Sequence, residues 1–294
     1  KTWAYFEQFV VAADHWLPPD NFQEQPGPAI AHRTSPTNMG LAQLANLAAW
    51  DFGYISAGTL IGRTSDGFQS MASLERHQGH FYNWYDTQTL RPLPPRYISS
   101  VDSGNLSAHL LTLRAGLLAL PDQRIVGDRV FDGLIDTLDL VADSVPESGK
   151  ADIRRLRELM EAACRPRAAT LSLVRQQLES VAGVAVTLNA GSSASPDDEP
   201  SAWLAALLRQ CRDALDELRH LAPWLELPVA PVELREFADF DGIPTLRGLA
   251  EDAIRRLAEI DSRLEREMTD EERQWLAECR SSITSSRDRA SGRI

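Results

Sequence analysis

The aromatic and polar side chains between residues 79 and 109 are the densest group in this sequence that could do chemistry. Four of the five residues Phe81–Tyr85 are aromatic, Asn83 lies among them, and Asp86 follows. The polar run 102–105 stands at the predicted start of a helix. Flat aromatic faces stack on pyranose rings, and amides, carboxylates and imidazoles hydrogen-bond to hydroxyl groups. The pattern favours a sugar-binding site, although a structural role for the same residues is equally compatible with it.

A second group lies in residues 14–30, which contain four prolines and a glycine. That composition predicts a loop without regular structure. A loop of this length inside a domain is usually functional or disordered, and its Trp16 and Phe22 argue against disorder. Because proline stiffens the loop, polar side chains such as Asp20 and Glu24 can be held ready for a ligand at low entropic cost.

A third group, residues 32–38, precedes and opens a predicted helix for which Ser35 is a suitable N-cap. The partial positive charge of the helix start, together with Arg33, could hold an anion such as phosphate. A charge-assisted hydrogen bond from Arg33 to Asp20 or to Glu24 is an equally compatible alternative.

These stretches supply the candidate sugar-binding residues and the candidate catalytic carboxylates. The binding candidates are Trp16, Asp20, Asn21, Gln23, Glu24, His32, Arg33, Asn38, His80, Tyr82, Asn83, Trp84, Asp86, Asp102, Ser103 and Asn105. Glycoside chemistry normally needs two carboxylates that face one bond. Glu24, Asp86 and Asp102 are the candidates for acid/base work, but their spacing does not pair any two of them.

Composition and missing motifs exclude several classes of function. The net charge of −12 argues against nucleic acid or an anionic membrane surface as a partner. The histidines do not have zinc-site spacing, and no P-loop, dinucleotide fingerprint or GxSxG motif occurs. We therefore expect no metal site. Cys164, Cys211 and Cys279 lie in helical patterns and are expected to be small buried thiols.

The hydropathy of the chain predicts no membrane span, and its first residues suggest a piece of something larger. The apolar runs fall short of the ~18 residues that suggest a transmembrane helix, so we expect no membrane insertion of this segment. The chain opens KTWAYFEQF, which is not a signal peptide, and it lacks a starting Met. We therefore expect a segment of a longer protein.

Hydrophobic periodicity predicts helices in the first 120 residues and little strand structure. One helix is expected over residues 2–12. The next begins at Pro36, buries Leu41, Leu44, Ala45 and Ala48, and stops near Gly53. Ser56 is expected to cap another, and Asp102 or Ser103 to cap a helix with Leu106, Leu110, Leu113 and Leu117 on one face.

The remaining residues, 121–294, read as helices separated by breakers. The predicted helices cover 126–144, 150–164, 167–184, 200–221, 244–267 and 270–286. Thr269 and Glu272 form a capping-box pattern. The segment 189–200 is Pro/Gly/Ser-rich and is predicted to be an exposed, mobile linker. The fold class is therefore all-α: the helices and long polar loops of residues 1–120 suit an α/α toroid, and an extended helical bundle region follows over residues 121–294.

Two long runs resemble a known family. HWLPPDNFQEQPGPAIAHRTSPTNMGLAQLANLAAWDFGYIS and HFYNWYDTQTLRPLPPRYISSVDSGNLSAHLLTLRAGL are similar to the middle part of cyclic β-1,2-glucan synthases. These are large bacterial inner-membrane enzymes with a glycosyltransferase part and a C-terminal part like glycoside phosphorylases. The resemblance covers about residues 2–120, and several long sequence segments match within it.

The resemblance carries specific implications. It implies half of an α/α-toroid glucan-processing domain, part of a membrane protein, at the cytoplasmic face of the inner membrane. It implies β-1,2-glucan and the remaining domains as partners, no cofactor in this segment, and UDP-glucose as the donor used by the whole enzyme. The family's acid/base and nucleophile carboxylates are expected further along, since neither an SGxMFEYL-type nor a YDLLASEAR-type run occurs here.

Three functional hypotheses remain open at this point. The chain is half of a glucan-processing domain that binds β-1,2-glucan and helps the transglycosylation that closes the ring. Alternatively, it only holds the glucan while other domains act. In the third hypothesis it is a helical spacer between the transferase and phosphorylase-like parts, which residues 121–294 fit better than residues 1–120.

Overall fold

The all-α prediction is confirmed by the structure, a computed structural model that describes residues 1–143, 149–163, 170–191, 199–238 and 242–294. Its α-helices are α1 (Thr2–Phe9), α2 (Pro36–Asp51), α3 (Ala57–Ser73), α4 (Ser100–Ala119), α5 (Asp128–Ala142), α6 (Lys150–Ala163), α7 (Leu171–Gly191), α8 (Glu199–Leu221), α9 (Leu246–Leu264) and α10 (Asp270–Ser291). The ring arrangement of a toroid stays a prediction.

Short strands occur within the loops of the first 120 residues. They are β1 (Phe22–Gln23), β2 (Ala29–Ile30), β3 (Arg33–Thr34), β4 (Arg76–His77), β5 (His80–Phe81) and β6 (Tyr85–Asp86). The antiparallel pairs are β1 with β2, β3 with β6, and β4 with β5. The prediction that residues 14–30 lack regular structure is therefore wrong for β1 and β2, because Pro26 and Pro28 lie between the two strands and not within them.

The chain divides into two compact units. Unit 1 comprises Lys1–Asp51 and Gly58–Ala119, and unit 2 comprises Phe52–Ala57 and Leu120–Ile294. The assignment of residues 1–120 to a glucan-processing domain stays a prediction.

The close packing of α2 against α4 organises unit 1. A Cβ atom added at Gly40 would lie 2.9 Å from His109 Cβ, and one added at Gly116 would lie 2.5 Å from a Leu47 methyl carbon. The two glycines therefore allow the two helices to approach closely. Beside them, the loops and α3 contribute to a core of Leu17, Met39, Met71, Leu74, Tyr85 and Leu106.

The buried stripe of α2 differs from the predicted one. Leu41 is 44% exposed, whereas Gln43 and Asn46 are each only 3% exposed. The prediction followed apolar side chains, but Asn46 turns inward because its Oδ1 accepts a hydrogen bond from Arg63 Nε of α3 (3.1 Å). Met39, Ala42, Ala49 and Trp50 are the apolar residues of the stripe that is actually buried.

Unit 2 begins with four helices that pack as a closed set: α5 on α6, α6 on α7, α7 on α8, and α8 on α5. This is the arrangement of a four-helix bundle. A hairpin of α9 and α10 follows, and the predicted capping box at its turn is confirmed by the reciprocal bonds of Thr269 and Glu272.

The remaining predictions for unit 2 are settled in part. Cys211 and Cys279 are buried as expected, and burial raises the pKa of Cys211 to about 12 and that of Cys279 to about 11. The linker predicted at 189–200 overlaps the end of α7 and the start of α8, and its other residues, 192–198, lie outside the described residues. Cys164 lies outside them as well.

Candidate functional site

The pairing of β3 with β6 brings two of the predicted stretches side by side. Arg33 lies opposite Asp86, and Thr34 lies opposite Tyr85. The pairing continues one residue further, because Thr87 N donates to the carbonyl oxygen of His32 (3.0 Å). The helix-start stretch and the aromatic stretch are distant in sequence, but they form one surface in unit 1.

Arg33 lies between a carboxylate and an indole on this surface. Its Nη2 donates to Asp20 Oδ2 (2.8 Å), and its Nε donates to the same oxygen (3.2 Å). Its guanidinium carbon lies 4.7 Å from the centre of the Trp84 ring, within cation–π range. Asp20 Oδ1 accepts from the amide of Asn38 (3.4 Å). Of the two carboxylates that the sequence offered to Arg33, the structure selects Asp20, and Arg33 covers one face of Trp84.

Asn83 is the buried centre of a polar network next to Trp84; only 6% of its surface is exposed. In the amide orientation that satisfies its neighbours, its oxygen accepts from Trp84 Nε1 (2.6 Å) and from the Tyr97 hydroxyl (2.8 Å). Its nitrogen donates to Asp102 Oδ2 (3.0 Å). The indole is therefore held in one orientation by an amide that is itself held in place.

Asp102 takes part in this network and does not cap α4, so the cap predicted at Asp102 or Ser103 is wrong. The helix begins at Ser100, and Ser99 Oγ accepts from Asp102 N (3.1 Å). Because Ser99 takes the capping role, the Asp102 carboxylate is free to accept a hydrogen bond from Thr37 Oγ1 (2.6 Å). The amide of Asn105 also donates to Thr37 Oγ1 (3.1 Å).

A buried carboxylate orients His32. Asp14, 6% exposed, accepts from Thr87 Oγ1 (2.5 Å), and the same oxygen lies 2.7 Å from His32 Nδ1. The His32 side chain is 36% exposed. A carboxylate on Nδ1 favours the tautomer with its proton there, which leaves Nε2 as an acceptor toward solvent. His32 is thus prepared to accept a hydrogen bond from a hydroxyl group.

Asp86 closes the turn that follows β6. Its Oδ1 accepts from Gln88 N (3.0 Å), Thr89 N (2.7 Å) and Thr89 Oγ1 (2.9 Å). Burial alone would raise the pKa of Asp86, but the hydrogen bonds from Thr89 and Gln88 outweigh burial and lower it. A lowered pKa keeps the carboxylate ionised, which suits a turn-fixing group better than a proton donor.

The other predicted residues lie apart from this network. Gln23 and Glu24 are exposed at β1, and His80 is exposed in the β4–β5 pair. Trp16 is packed with Arg63, whose guanidinium carbon lies 5.5 Å from its ring centre. Two more have local roles: Asn21 donates to Asp20 (3.3 Å), and Ser103 Oγ donates to the Ser99 carbonyl (2.9 Å).

The aromatic run divides between the core and the surface. Tyr85 is fully buried, and its hydroxyl donates to the Glu75 carbonyl (2.6 Å) and accepts from Tyr82 N (2.8 Å). Phe81 and Tyr82 pack partly buried against the same core. Trp84 is also partly exposed, but it is not among the residues that pack against this core.

The three candidate carboxylates stand in three different settings. Glu24 is exposed directly after β1, Asp86 closes a turn, and Asp102 faces Thr37 and Asn83. Within the described ranges, no hydrogen bond joins one of them to another. A catalytic role for any of them stays a prediction. In the part of the chain that the structure describes, no three metal-binding side chains come together.

Sequence reasoning missed four residues of this site: Asp14, Thr37, Thr87 and Tyr97. Each has its partner in a distant segment, so no local pattern pointed to it. All four lie within the stretches that were already singled out, residues 14–30, 32–38 and 79–109. Asp14 is the first residue of the proline-rich loop, and its burial could not be foreseen from the sequence.

Comparison with known proteins decides what this chain resembles. No family model matches it. Over 166 residues, 55% of this chain, it is 39% identical to the cyclic beta-(1,2)-glucan synthase NdvB of Rhizobium meliloti strain 1021. The chain is similar to a segment of a cyclic β-(1,2)-glucan synthase. The resemblance found in the motifs is thereby confirmed. The matched residues span only 6% of that synthase's length, so the activity of the whole relative is a separate question.

The synthase-like chain has no helix, within the described residues, that is both long and apolar enough to span a bilayer. Its polar network and the Arg33–Trp84 pair lie in unit 1. The expected cellular location stays a prediction.

Proposed function

We propose that unit 1 binds β-1,2-glucan as part of a cyclic β-1,2-glucan synthase and contributes binding subsites to the step that closes the glucan ring. The observation that carries this proposal is the Arg33–Trp84 pair, with the indole N–H held by Asn83 and the guanidinium held by Asp20. Aromatic and charged groups fixed before the ligand arrives lose little entropy when it binds.

The chemistry of the surface suits a saccharide. A pyranose presents an apolar face and a rim of hydroxyl groups. The indole of Trp84 offers an apolar plane, while Asp20 accepts, Asn38 can both donate and accept, and His32 Nε2 accepts. Arg33 covers one face of the indole, which leaves two ways for a glucose ring to stack on Trp84. The ring stacks on the opposite face while Arg33 stays in place, or it displaces Arg33 and takes the same face.

The proposed contribution to ring closure is subsite binding and not complete catalysis. A retaining transglycosylation uses a nucleophilic carboxylate and a general acid/base carboxylate about 5 Å apart. Glu24, Asp86 and Asp102 are not arranged as such a pair by the contacts described above. The proposal therefore assigns the catalytic pair to other parts of the polypeptide.

The location of the other activities follows from the same proposal. UDP-glucose is used by the transferase part, outside this chain, and this segment needs no cofactor of its own. The parent protein is anchored in the bacterial inner membrane, with this part at its cytoplasmic face. Unit 2 is a helical spacer between neighbouring parts, which is supported by its bundle of α5, α6, α7 and α8.

The experiment that tests the proposal is calorimetric titration of the purified chain with linear β-1,2-glucooligosaccharides. Oligosaccharides of equal length with β-1,3 and β-1,4 linkages are the controls, and circular dichroism establishes that the chain is folded. We expect heat of binding with the β-1,2 series only. Equal affinity for all three linkages, or no binding by the folded chain, would contradict the proposal.

A glucan-holding module without any part in chemistry is the alternative, supported by the unpaired setting of the three carboxylates. Single substitutions Glu24→Gln, Asp86→Asn and Asp102→Asn in the whole synthase separate the two. The holding module predicts unchanged turnover at saturating glucan for all three. A contribution of subsites to ring closure predicts a fall in cyclic product at saturating glucan for at least one, because a misplaced glucan reaches the catalytic pair less often.

A further inference from the structure

Helix α4 carries two apolar stripes on opposite faces. The inner stripe packs in unit 1, where Leu106 and Leu113 are buried and Leu110 is partly buried. The outer stripe consists of Val101, Gly104, Ala108, Leu111, Ala115 and Leu118, and every one of these six residues is exposed. Val101 and Leu111 are each 69% exposed, and Leu118 is 60% exposed. A surface helix normally has a polar outer face.

The spacing of the outer stripe is that of a helix-packing seam. From Val101 to Leu118 the steps alternate between three and four residues along the whole helix. This 3–4 alternation places the six residues in one narrow line along a single face of α4. Small residues at 104, 108 and 115 let a second backbone approach closely, between the larger Val101, Leu111 and Leu118.

The charge pattern of α4 agrees with burial of this face. In a chain with a net charge of −12, the helix contains one acidic residue, Asp102, and one basic residue, Arg114. Asp102 is turned toward Thr37 and Asn83, away from the outer stripe. Interface cores are depleted of charged residues in the same way.

Apolar exposure continues on α3, the preceding helix of unit 1. Ile61, Phe68 and Ala72, together with Leu117 of α4, line an open groove of about 450 Å³. Phe68 is 37% exposed there. Unit 1 therefore exposes more than one continuous apolar surface, as a domain does when part of its packing partner is absent.

We propose that the outer stripe of α4 is the packing surface for an α-helix from another part of the same long polypeptide. The small residues Gly104, Ala108 and Ala115 favour a helix as the occupant, because they let a second helix backbone approach closely. The synthase that this chain resembles is far longer, because the matched segment is 6% of its length, so the polypeptide has ample sequence to supply that helix. A second copy of this chain is disfavoured, because two chains of net charge −12 repel each other. This proposal is independent of glucan binding.

The accessibility of a thiol at position 111 tests whether the outer stripe of α4 is covered in the full-length polypeptide. Leu111→Cys is made with Cys164→Ser, in this chain and in the full-length polypeptide that contains it. Alkylation of the peptide carrying position 111 is followed by mass spectrometry. Cys211 and Cys279 are buried with raised pKa values, so they react slowly. Ser73→Cys, exposed at the end of α3, is the matched control.

We expect the thiol at 111 to react at the rate of an exposed thiol in this chain and at least about 10-fold more slowly in the full-length polypeptide. Equal rates in both would overturn the proposal. Protection in this chain alone that disappears on dilution, with a dimer in light scattering, would also overturn it in favour of a second copy. The thiol at 73 should react equally in both.

A second variant keeps the test decisive if the thiol perturbs the long protein. Leu111→Lys replaces an exposed side chain in this chain, so its melting temperature should stay within about 2 °C of the parent value. In the full-length polypeptide the same lysine would be buried without a partner, so faster proteolysis at this domain is expected. Unchanged proteolysis would contradict a covered stripe.

Discussion

The guanidinium carbon of Arg33 lies 4.7 Å from the centre of the Trp84 ring, while the same guanidinium donates to Asp20. One charged group thus connects the proline-rich loop, the helix-start stretch and the aromatic run. Neither the carboxylate nor the indole depends on a ligand for its position. The contacts that position Arg33 and Trp84 all lie within unit 1.

Substituting Asp20→Asn tests how much this organisation matters. Arg33 is half-exposed, so its ion pair with Asp20 adds at most about 1 kcal/mol to stability. In Asp20→Asn the Arg33 side chain is released and must be ordered when glucan binds. This ordering costs about 0.5–1.5 kcal/mol, which lowers glucan affinity roughly 2- to 10-fold. Urea unfolding and calorimetric titration measure the two effects. Asp216→Asn, in an exposed Arg219 pair of unit 2, should leave affinity unchanged. Equal affinity for Asp20→Asn and the parent chain would contradict preorganisation.

Removing the carboxylate of Asp14 should destabilise unit 1. Asp14→Ala leaves the fully buried Thr87 hydroxyl without its acceptor and releases His32. We expect a loss of roughly 1–3 kcal/mol in the free energy of unfolding, measured in urea. Glu24→Ala, on an exposed residue, should change it by less than about 0.5 kcal/mol. If the two variants are equally stable, the Asp14 contacts do not hold the site together.

The turn at Asp86 should make stability depend on pH in the acid range. The pKa of Asp86 is lowered from its ordinary value of 3.8, so the folded state favours the ionised form. Its contribution is therefore fully present above pH 3.8 and is lost as pH falls through the lowered folded-state pKa. In urea unfolding, the parent chain should be more stable than Asp86→Asn at pH 7, and this difference should shrink at pH 3. A difference that is the same at both pH values would show that ionisation of Asp86 does not stabilise the turn.

Two glycines of unit 2 should respond in opposite directions to alanine. A Cβ at Gly133 of α5 would lie 2.6 Å from backbone atoms of Phe52 and Gly53, whereas one at Gly183 of α7 would meet nothing within 4 Å. Gly133→Ala should cost roughly 2–3 kcal/mol through this backbone clash. Gly183→Ala should add about 0.5–1 kcal/mol, because alanine restricts the unfolded chain. Urea unfolding measures both. Stabilisation by Gly133→Ala would rule out the close approach of α5 to residues 52–53.

The parts of the fold that follow from local sequence were predictable. Ser35 accepts from Asn38 N (3.3 Å) at the predicted start of α2, and Thr269 with Glu272 caps α10. Such caps depend on residues three positions apart, which a sequence displays directly. The helices of unit 2 were found by their periodicity for the same reason.

Pairings between distant residues were not predictable. Gln43 and Asn46 look like surface residues of α2, but Arg63 of α3 draws Asn46 inward. At α4, Ser99 and Asp102 are both chemically able to cap, and Thr37, far away in sequence, engages Asp102 instead. The sequence therefore predicted which stretches form the candidate site. The hydrogen bonds that join them through Asp14, Thr87 and Tyr97 became visible only in the folded structure.

Titration of Trp84→Ala with linear β-1,2-glucooligosaccharides, beside the parent chain, tests the central claim most directly. Trp3→Ala is the matched control, because Trp3 also lies near an arginine of unit 1, with the Arg63 guanidinium 5.1 Å from its ring, outside the proposed site. We expect the parent chain and Trp3→Ala to bind equally and Trp84→Ala to lose at least about 10-fold in affinity while its circular dichroism is unchanged. Equal binding by all three would contradict a glucan site at Trp84.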